Sequence, residues 1–409
     1  MKKILVLGVG AQGSTVARRM DEEPDVAEII CADYDQRAVN ELVGELRKGR
    51  GVQVDASNKD SIVAAAKGVD LIVNALPLAF GPNVLEAALE AKTNYQDFAA
   101  TDALTDDWVE GIKLMYTEYS RRFAEIGRTA IIGTGSAPGL ICVAARNAMR
   151  YLDTCETIYN IVYEGVEAKR FLPFWWSPIT ALSDMSEAAY AYENGQIIRT
   201  EAFSRPVYRK YDYLDSEVKL VEHAHDEPLH MGMNSEKFFK GVKNVYFKYG
   251  GPGIDFAEPL HRAGLLSREP EDINGVKVAP FYVILKHLPP APKYREEIQE
   301  ILDEGLVSDT GAMVVEAYGT KDGKEVLVET HVFAPGLVES FERAGLTAEM
   351  YLTGQGGALF TKMFVKDMYT QKGLISSDML TFEQVDYYLE CAGELGITLQ
   401  IEVKPINQV

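Results

Sequence analysis

The most constraining feature of the chain is a glycine pattern close to its N-terminus. An apolar run at residues 4–7 leads directly into Gly8-Val9-Gly10-Ala11-Gln12-Gly13, and an amphipathic stretch follows as far as Met20. In such a strand–turn–helix unit the first glycine allows a tight turn, the second lets the backbone approach a pyrophosphate, and the third lets the helix pack on the strand. Amide groups at the helix N-terminus then face the phosphates, where the helix dipole favours negative charge. The pattern predicts a dinucleotide-binding α/β domain with cofactor contacts from Gly8, Gly10, Ala11, Gln12 and Gly13.

An acidic residue, Asp33, ends the second apolar run, twenty residues after Gly13. A carboxylate at this position accepts a hydrogen bond from the ribose 2′-hydroxyl of NAD and repels the 2′-phosphate of NADP, for which arginine is usual. Asp33 therefore favours NAD as the cofactor. NADP stays open because Arg37 lies one helical turn onward; the other interpretation of Arg37 and Asp35 is the solvated first turn of a helix.

Short apolar runs alternate with helical patterns up to about residue 135. This alternation is typical of βαβ units and of a doubly wound parallel sheet, which binds ligands beyond the carboxyl ends of its strands. Asp55 follows one such strand, where it either meets the adenine or caps the next helix. Ala75, Leu76 and Pro77 follow another, and their backbone is expected near the ribose and nicotinamide, with Pro77 mainly shaping the turn. The later strands are predicted at 27–32, 52–54, 71–75, 95–98 and 130–132.

Strand-like runs dominate the chain from about residue 156. They predict a mostly antiparallel sheet with helices on one face, and a helix is predicted from Ser177 to about Glu193. The predicted strands lie at 157–163, 196–203, 276–287, 311–318 and 325–333. Two helical patterns, at 356–371 and 382–393, form the tail. We expect a dinucleotide domain at 1–135, a substrate domain at 136–353, and C-terminal helices at 354–409 that return to the first domain.

Composition limits the partners of the chain. A length of 409 residues favours two domains. The formal charge of -20 argues against nucleic acid or an anionic membrane as a partner. No apolar run approaches the roughly 20 residues of a membrane span, and the four cysteines lack zinc or disulfide spacing. We therefore expect a cytoplasmic protein with reduced thiols that acts on a small molecule.

Two groups of residues near the expected nicotinamide end are able to handle a proton or hold a substrate. Tyr95 and Asp97 are two residues apart in a predicted strand and point to the same side, so they offer a phenol and a carboxylate for catalysis. The alternative for Asp97 is a helix cap. Gly135 and Ser136 belong to a glycine-rich segment whose bare backbone amides can contact the substrate.

Further substrate candidates lie in the second half. Trp176 and Ser177 either line the substrate pocket or act as an aromatic core anchor and a helix N-cap. Arg199, like Arg170 and Arg205, can hold a substrate carboxylate with two hydrogen bonds, although single arginines are usually surface residues.

A histidine cluster raises the question of a metal. His223 and His225 alternate along the chain and share a face if they lie on a strand, and His230 is close in sequence. Asp226 and Glu227 do not complete a known ligand pattern, so we expect no metal here and favour a loop or a hydrogen-bonding role.

Several stretches follow one another along the chain in a recognisable order: the glycine pattern, Asn74-Ala75-Leu76-Pro77, Asn94-Tyr95-Gln96-Asp97-Phe98, residues 135–140, Trp175-Trp176-Ser177-Pro178, residues 193–197 and Lys372-Gly373-Leu374-Ile375. In these stretches the chain resembles the saccharopine dehydrogenase family. The resemblance implies a Rossmann domain, an inserted α+β domain for substrate binding and dimerisation, a homodimer, and NAD(P)-dependent hydride transfer at a C–N bond of an amino acid or opine-like amine. A non-catalytic redox sensor of the same fold is the alternative function. The chain departs from saccharopine reductases at Ala137, where they tend to carry aspartate, and at Ile179-Thr180, which favours a ligand other than saccharopine.

Overall fold

The computed structural model describes residues 1–99 and 104–406, which divide into two compact units. The first unit, the nucleotide unit, contains residues 1–147 and 350–397. The second, the sheet unit, contains residues 148–349 and the chain from 398 onward. The division thus falls later than the expected 135/136 boundary and slightly earlier than 353/354.

Strands and helices are numbered along the chain. The strands are β1 Lys2–Leu7, β2 Val26–Asp33, β3 Gly49–Gln53, β4 Leu71–Asn74, β5 Asn94–Asp97, β6 Thr129–Ile132, β7 Thr154–Ala168, β8 Ala189–Glu193, β9 Gln196–Thr200, β10 Val207–Arg209, β11 Val218–Glu222, β12 Asn244–Gly250, β13 Glu271–Ile273, β14 Val276–Val278, β15 Leu306–Lys321, β16 Lys324–Phe333, β17 Gly373–Ser376 and β18 Thr398–Pro405. The α-helices are α1 Ala11–Glu22, α2 Gln36–Glu45, α3 Lys59–Ala65, α4 Gly81–Glu90, α5 Trp108–Leu114, α6 Ser120–Glu125, α7 Leu140–Ala148, α8 Pro178–Ser186, α9 Glu227–Met233, α10 Ser235–Phe238, α11 Pro252–Arg262, α12 Pro280–His287, α13 Arg295–Glu304, α14 Leu337–Ala344, α15 Ala348–Val365 and α16 Phe382–Glu394.

The nucleotide unit is built on a seven-stranded sheet in the order β17-β6-β5-β4-β1-β2-β3. Every neighbouring pair is parallel, so the carboxyl ends of the strands share one edge. The central strands are apolar and buried, as expected for a sheet covered on both faces. This architecture confirms the predicted Rossmann-type α/β fold.

Residues 350–397 complete the nucleotide unit through buried polar contacts. Gln96 in β5 donates from Nε2 to the carbonyl of Gly357 at 2.9 Å, and its Oε1 accepts from the Thr361 hydroxyl at 3.0 Å. Arg146 in α7 donates to the carbonyl of Leu380 at 3.0 Å, which explains why α7 belongs to this unit. Strand β17 extends the sheet beside β6.

The sheet unit has a nine-stranded mixed sheet. Its main order is β10-β11-β12-β7-β15-β16-β18, and β8 and β9 branch from β12. The β12–β7 pair is parallel, whereas the other pairs are antiparallel. The tail therefore does not stay wholly with the nucleotide unit: β18 pairs with β16 along its full length, because its extended residues supply an edge strand there.

Two predicted elements of the sheet unit were wrong. Residues 276–287 were predicted as one strand because the segment is apolar. They form the short strand β14 and then helix α12, since proline at position 280 favours the start of a helix. The helix that begins at Pro178 ends at Ser186, and residues 189–193 form β8 against β9. Within the described residues, no helix combines the length and apolar character needed to cross a membrane.

Candidate cofactor and substrate sites

The glycine turn joins β1 to α1 under tight steric limits. Gly8 has a φ of +87°, and a Cβ there would lie 2.7 Å from the carbonyl oxygen of Ala75. A Cβ on Gly13 would lie 1.9 Å from the carbonyl oxygen of Gly8. Gly10, the N-cap of α1, has no neighbouring atom within 4 Å of the same position. The turn is therefore closed toward the protein and open at Gly10, which fits a pyrophosphate over the helix N-terminus.

Asp33 lies beside this turn. Its Oδ2 accepts from the Val9 amide at 2.9 Å, and its Oδ1 accepts from the Asp35 amide at 3.1 Å. Asp35 caps α2, and Arg37 is an exposed residue whose Nε pairs with Glu41 at 2.8 Å. The structure thus places the Asp33 carboxylate next to the turn, where a ribose hydroxyl can reach it.

A cleft in the nucleotide unit opens at the carboxyl ends of β4 and β5. It contains four predicted residues: Gln12, Ala75, Leu76 and Asp97. Pro77 precedes a short 3-10 helix and is not among the lining residues. The cleft has further lining residues that were not predicted: Asn74, Leu78, Gly81, Phe98, Ala99 and Thr353. Asn74 could have been predicted, because it is a polar residue at the end of an apolar strand.

Tyr95, Asp97 and Asn74 form a buried hydrogen-bonded chain at this cleft. The Tyr95 hydroxyl donates to Asp97 Oδ2 at 3.0 Å and accepts from Asn74 Nδ2 at 3.0 Å. Asp97 Oδ1 accepts from the Gly133 amide at 2.8 Å. Burial, together with the charge of Asp97, raises the pKa of Tyr95 well above its usual range. Tyr95 therefore keeps its proton, and Asp97 is the member of the pair that lines the cleft.

The predicted glycine-rich segment lies next to the same cleft. The Ser136 hydroxyl is 2.9 Å from the Thr353 hydroxyl, and Thr353 lines the cleft. A Cβ on Gly135 would lie 3.2 Å from the Thr353 Cγ2 atom. Asp55, in contrast, is exposed, and its carboxylate accepts from the amide of Ser57 at 2.9 Å. A hydrogen bond from the Ser57 hydroxyl at 2.6 Å, together with the amide bond, lowers the pKa of Asp55. The N-cap of α3 is Asn58, so the predicted alternative in which Asp55 caps this helix was wrong.

The predicted substrate residues of the sheet unit are not all together. Ser177 caps α8, since its hydroxyl oxygen accepts from the Thr180 amide at 3.5 Å and also from the Thr180 hydroxyl at 2.9 Å. Trp176 is half-buried and donates from Nε1 to Glu164 Oε2 at 3.3 Å. Arg199 is an exposed residue of β9, opposite Tyr190. Of these three residues, Trp176 is thus the one whose side chain is hydrogen-bonded to a carboxylate, that of Glu164.

The histidine cluster forms hydrogen bonds and ring contacts. His223 Nδ1 lies 3.0 Å from the Ala224 carbonyl, and burial lowers the pKa of His223 to about 3. His225 stacks on Phe247 with ring centroids 3.9 Å apart, and its Nδ1 lies 2.5 Å from Glu227 Oε2. Burial opposes the charge on His225, but Glu227 outweighs burial and raises the pKa. No metal-binding group of three or more ligands occurs among the described residues.

Three residues of the sheet unit that the sequence analysis missed interact with Trp176 or with one another. Glu164 belongs to β7, Tyr249 to β12, and Glu349 to the first turn of α15. Burial raises the pKa of Glu164, while burial and then the charge of Glu164 raise the pKa of Glu349 to about 8. No local motif marks these residues, because they come from distant parts of the chain.

Comparison with known proteins shows what the chain is similar to. Residues 4–131 match the family model described as saccharopine dehydrogenase NADP binding domain. The apo structure of saccharopine dehydrogenase (L-Glu forming) from Saccharomyces cerevisiae superposes with a TM-score of 0.70, covering 98% of this chain and 100% of that one at 14% identity, and so shares the fold. Residues 4–131 thus belong to the nucleotide-binding domain of this family, and the whole chain has the fold of saccharopine dehydrogenase.

Named relatives match the chain from end to end. Carboxynorspermidine synthase of Vibrio alginolyticus is 26% identical and covers 98% of this chain and 96% of its own. Carboxynorspermidine synthase of Vibrio cholerae is 25% identical over 98% and 97% of the two chains. Carboxyaminopropylagmatine dehydrogenase of Synechocystis is 22% identical over 97% and 96%.

These findings confirm the resemblance, the fold class and the NAD(P) cofactor that the sequence predicted. This saccharopine dehydrogenase-like protein is an NAD(P)-dependent oxidoreductase, and the residues present fit the cofactor. Gly8, Gly10 and Gly13 shape the turn between β1 and α1, the Asp33 carboxylate lies beside this turn, and the cleft opens at the carboxyl ends of β4 and β5, where open parallel sheets bind nucleotides.

Proposed function

We propose that the chain transfers hydride at the C–N bond of a carboxyaminopropyl amine, an amine that carries a four-carbon amino-acid chain. The observation that carries the proposal is the end-to-end match to relatives named carboxynorspermidine synthase and carboxyaminopropylagmatine dehydrogenase. The departures from saccharopine reductases at Ala137 and Ile179 agree with a substrate other than saccharopine.

In the direction of synthesis, a primary amine and the aldehyde 2-amino-4-oxobutanoate condense to an imine with loss of water. A bound reduced nicotinamide would supply the hydride for the imine carbon and be oxidised in doing so. A proton added to the imine nitrogen completes the secondary amine. The protein has to hold the imine over the nicotinamide, exclude water and manage the proton.

Asp97 is the proposed proton-handling residue, with Tyr95 as its positioning partner. Asp97 lines the cleft, and Tyr95 and the Gly133 amide fix its two oxygens. Because Tyr95 is fully enclosed and retains its proton, it orients the carboxylate and does not itself exchange with substrate. Gly135, Ser136, Trp176 and Ser177 stay substrate-binding proposals, as does Arg199.

The experiment is a turnover assay that follows reduced nicotinamide. Purified protein receives NADH or NADPH with 2-amino-4-oxobutanoate and one of several amines: propane-1,3-diamine, butane-1,4-diamine or agmatine. Lysine with 2-oxoglutarate tests the saccharopine alternative. Turnover with an amine and the four-carbon aldehyde supports the proposal, whereas turnover with lysine alone contradicts it. Binding of cofactor without turnover on any mixture would favour the redox-sensor alternative.

A matched pair of variants tests the role of Asp97. D97N should abolish turnover and leave binding of NADH within about threefold of wild type, because a neutral amide cannot exchange the proton. D60N is the control, since Asp60 is an exposed residue of α3 and is not among the cleft residues. Unchanged turnover in D97N would remove Asp97 from the mechanism.

Three further assignments are proposals. NAD is the preferred cofactor because Asp33 accepts hydrogen bonds where NADP carries a phosphate, although the family model bears the name of NADP. The acidic composition and the four free cysteines, all buried, suit the cytoplasm. A homodimer through the sheet unit rests on the family resemblance, and sedimentation equilibrium tests it.

A further inference from the structure

An aromatic side chain of the nucleotide unit is exposed beside the residue expected to bind the adenosine ribose. Tyr34 directly follows Asp33, the last residue of β2, and it is 79% exposed. Single exposed aromatic residues are common on protein surfaces. Tyr34 differs from an ordinary surface residue in two respects: its backbone is held in place, and it lies at the ligand-binding edge of a parallel sheet.

The backbone of Tyr34 is fixed by hydrogen bonds on both sides. Gln53, at the end of β3, donates from Nε2 to the carbonyl oxygen of Tyr34 at 2.9 Å. The Asp35 amide donates to Asp33 Oδ1 at 3.1 Å, and the Asp35 side chain caps α2. The short connection from β2 to α2 therefore has a defined course. A tyrosine held in this way loses little entropy on binding a ligand, because only its two side-chain torsions remain to be fixed.

The order of the strands places Tyr34 in the adenosine half of the cofactor site. The strands β1, β2 and β3 are parallel neighbours, so their carboxyl ends lie side by side. The glycine turn for the pyrophosphate follows β1, and the Asp33 carboxylate at the end of β2 accepts from the Val9 amide of that turn at 2.9 Å. The base of a dinucleotide lies on the far side of the ribose from the pyrophosphate. A ribose at Asp33 therefore directs the adenine beyond β2, toward the residues that follow β2 and β3.

Tyr34 and Asp55 are the two side chains at these strand ends that were weighed for the adenine. Asp55 Oδ1 already accepts from the Ser57 amide at 2.9 Å and from the Ser57 hydroxyl at 2.6 Å, a local turn interaction. The Tyr34 ring is instead open to solvent. Every nucleobase has a flat π-face on which an aromatic side chain can stack.

We propose that Tyr34 binds the adenine of the cofactor by stacking on the face of the base. Asp33 accepts from the ribose hydroxyl, and the next residue covers the base, so two adjacent residues hold the two parts of the adenosine. The exposed ring of Tyr34 is covered when the cofactor binds. This inference concerns the NAD(P) cofactor alone, and it does not depend on which amine is the substrate.

Calorimetric titration of the full chain with ADP-ribose tests the stacking contact directly. This fragment of the cofactor contains the adenosine and the pyrophosphate but no nicotinamide. We expect Y34F to bind ADP-ribose like wild type, Y34L about threefold more weakly and Y34A about tenfold more weakly, because the contact depends on the aromatic face and not on the hydroxyl. Titration with NADH should give the same order of affinities.

Two further variants serve as comparisons. Y208A is the control, because Tyr208 is an exposed tyrosine of β10 in the sheet unit, and it should bind ADP-ribose like wild type. D55A tests the competing contact with the edge of the adenine, and we expect it to leave the affinity unchanged. Because Tyr34 is largely exposed, Y34A should keep the melting temperature of wild type, so a loss of affinity cannot be attributed to unfolding.

The outcomes distinguish a stacking contact from the other roles of this residue. Wild-type affinity for ADP-ribose in Y34A would overturn the proposal. Equal losses in Y34F and Y34A would assign the effect to the hydroxyl and would also overturn it. A loss in D55A without a loss in Y34A would place the base at Asp55. Failure of the wild-type protein to bind either ADP-ribose or NADH would count against the proposal as well. Turnover with any of the amines leaves each of these results unaffected.

Discussion

At the residue scale, Asp33 combines a structural and a cofactor role. Its carboxylate fixes the glycine turn through the Val9 amide and faces the ribose position. We expect D33A to weaken NADH binding about tenfold and to weaken NADPH binding much less, because the variant loses an acceptor for the 2′-hydroxyl and a charge that repels the 2′-phosphate. Fluorescence titration with both nucleotides measures the ratio. A ratio equal to that of wild type would show that Asp33 does not contact the ribose; D35A, at the cap of α2, is the control.

The Tyr95 hydroxyl is the second residue whose loss is predictable. Y95F removes the donor to Asp97 and the acceptor of Asn74 in a buried site. We expect the free energy of unfolding to fall by about 1–3 kcal/mol, because two buried polar groups lose a partner. Urea denaturation measures the change, and Y119F is the control because the Tyr119 hydroxyl bonds to the half-exposed Glu86. Equal stabilities of Y95F and wild type would mean that water replaces the hydroxyl.

At the element scale, two glycines of the β1–α1 turn are expected to have different roles, one in folding and the other in cofactor binding. G13A places a methyl group 1.9 Å from the Gly8 carbonyl oxygen, so α1 must move off the sheet, and we expect a large loss of stability. G10A places a methyl group where no atom lies within 4 Å, so the protein should fold normally. It should nevertheless lose most of its NADH affinity, because the pyrophosphate occupies that space. Melting temperatures and cofactor titrations of the two variants test the distinction, and tight NADH binding by G10A would contradict it.

The same element shows which features can be predicted from sequence. The turn residues and Asp33 obey a local pattern, since sterics and the ribose contact are fixed within one βαβ unit. The strand prediction for residues 276–287 was wrong because apolar side chains occur in both strands and helices, and Pro280 favours the start of a helix. Thr353 reaches the cleft from the far end of the chain, and only the fold reveals it.

At the scale of the whole molecule, the distribution of charge is the feature that composition hides. A net charge of -20 argues against nucleic acid or an anionic membrane as a partner but does not show which carboxyl groups are buried beside each other. The charge of Glu164 in β7 helps to raise the pKa of Glu349 at the start of α15, although the two residues are far apart in the chain. Interactions of this kind between distant residues leave no trace in spacing or periodicity, so this pair could not be predicted from the sequence.

The raised pKa of Glu349 predicts how stability depends on pH. The pKa of Glu349 is about 8 in the folded chain and has an ordinary value of 4.5. Between pH 4.5 and pH 8 this carboxyl group is therefore protonated more in the folded chain than in the unfolded chain. Stability from this group is therefore complete below about pH 4.5 and is lost as the pH rises toward 8. E349Q removes this dependence, so its stability relative to wild type should increase over that range by at most about 1.4 kcal/mol per pH unit. Partial exposure of Glu349 makes the slope smaller. Taking the difference between the two proteins cancels the titration of groups that do not interact with Glu349, and E339Q, at an exposed ion pair, should show no such slope. Melting temperatures of the three proteins from pH 5 to pH 8 measure the difference, and parallel curves for wild type and E349Q would mean that Glu349 is ionised in the folded protein over this range.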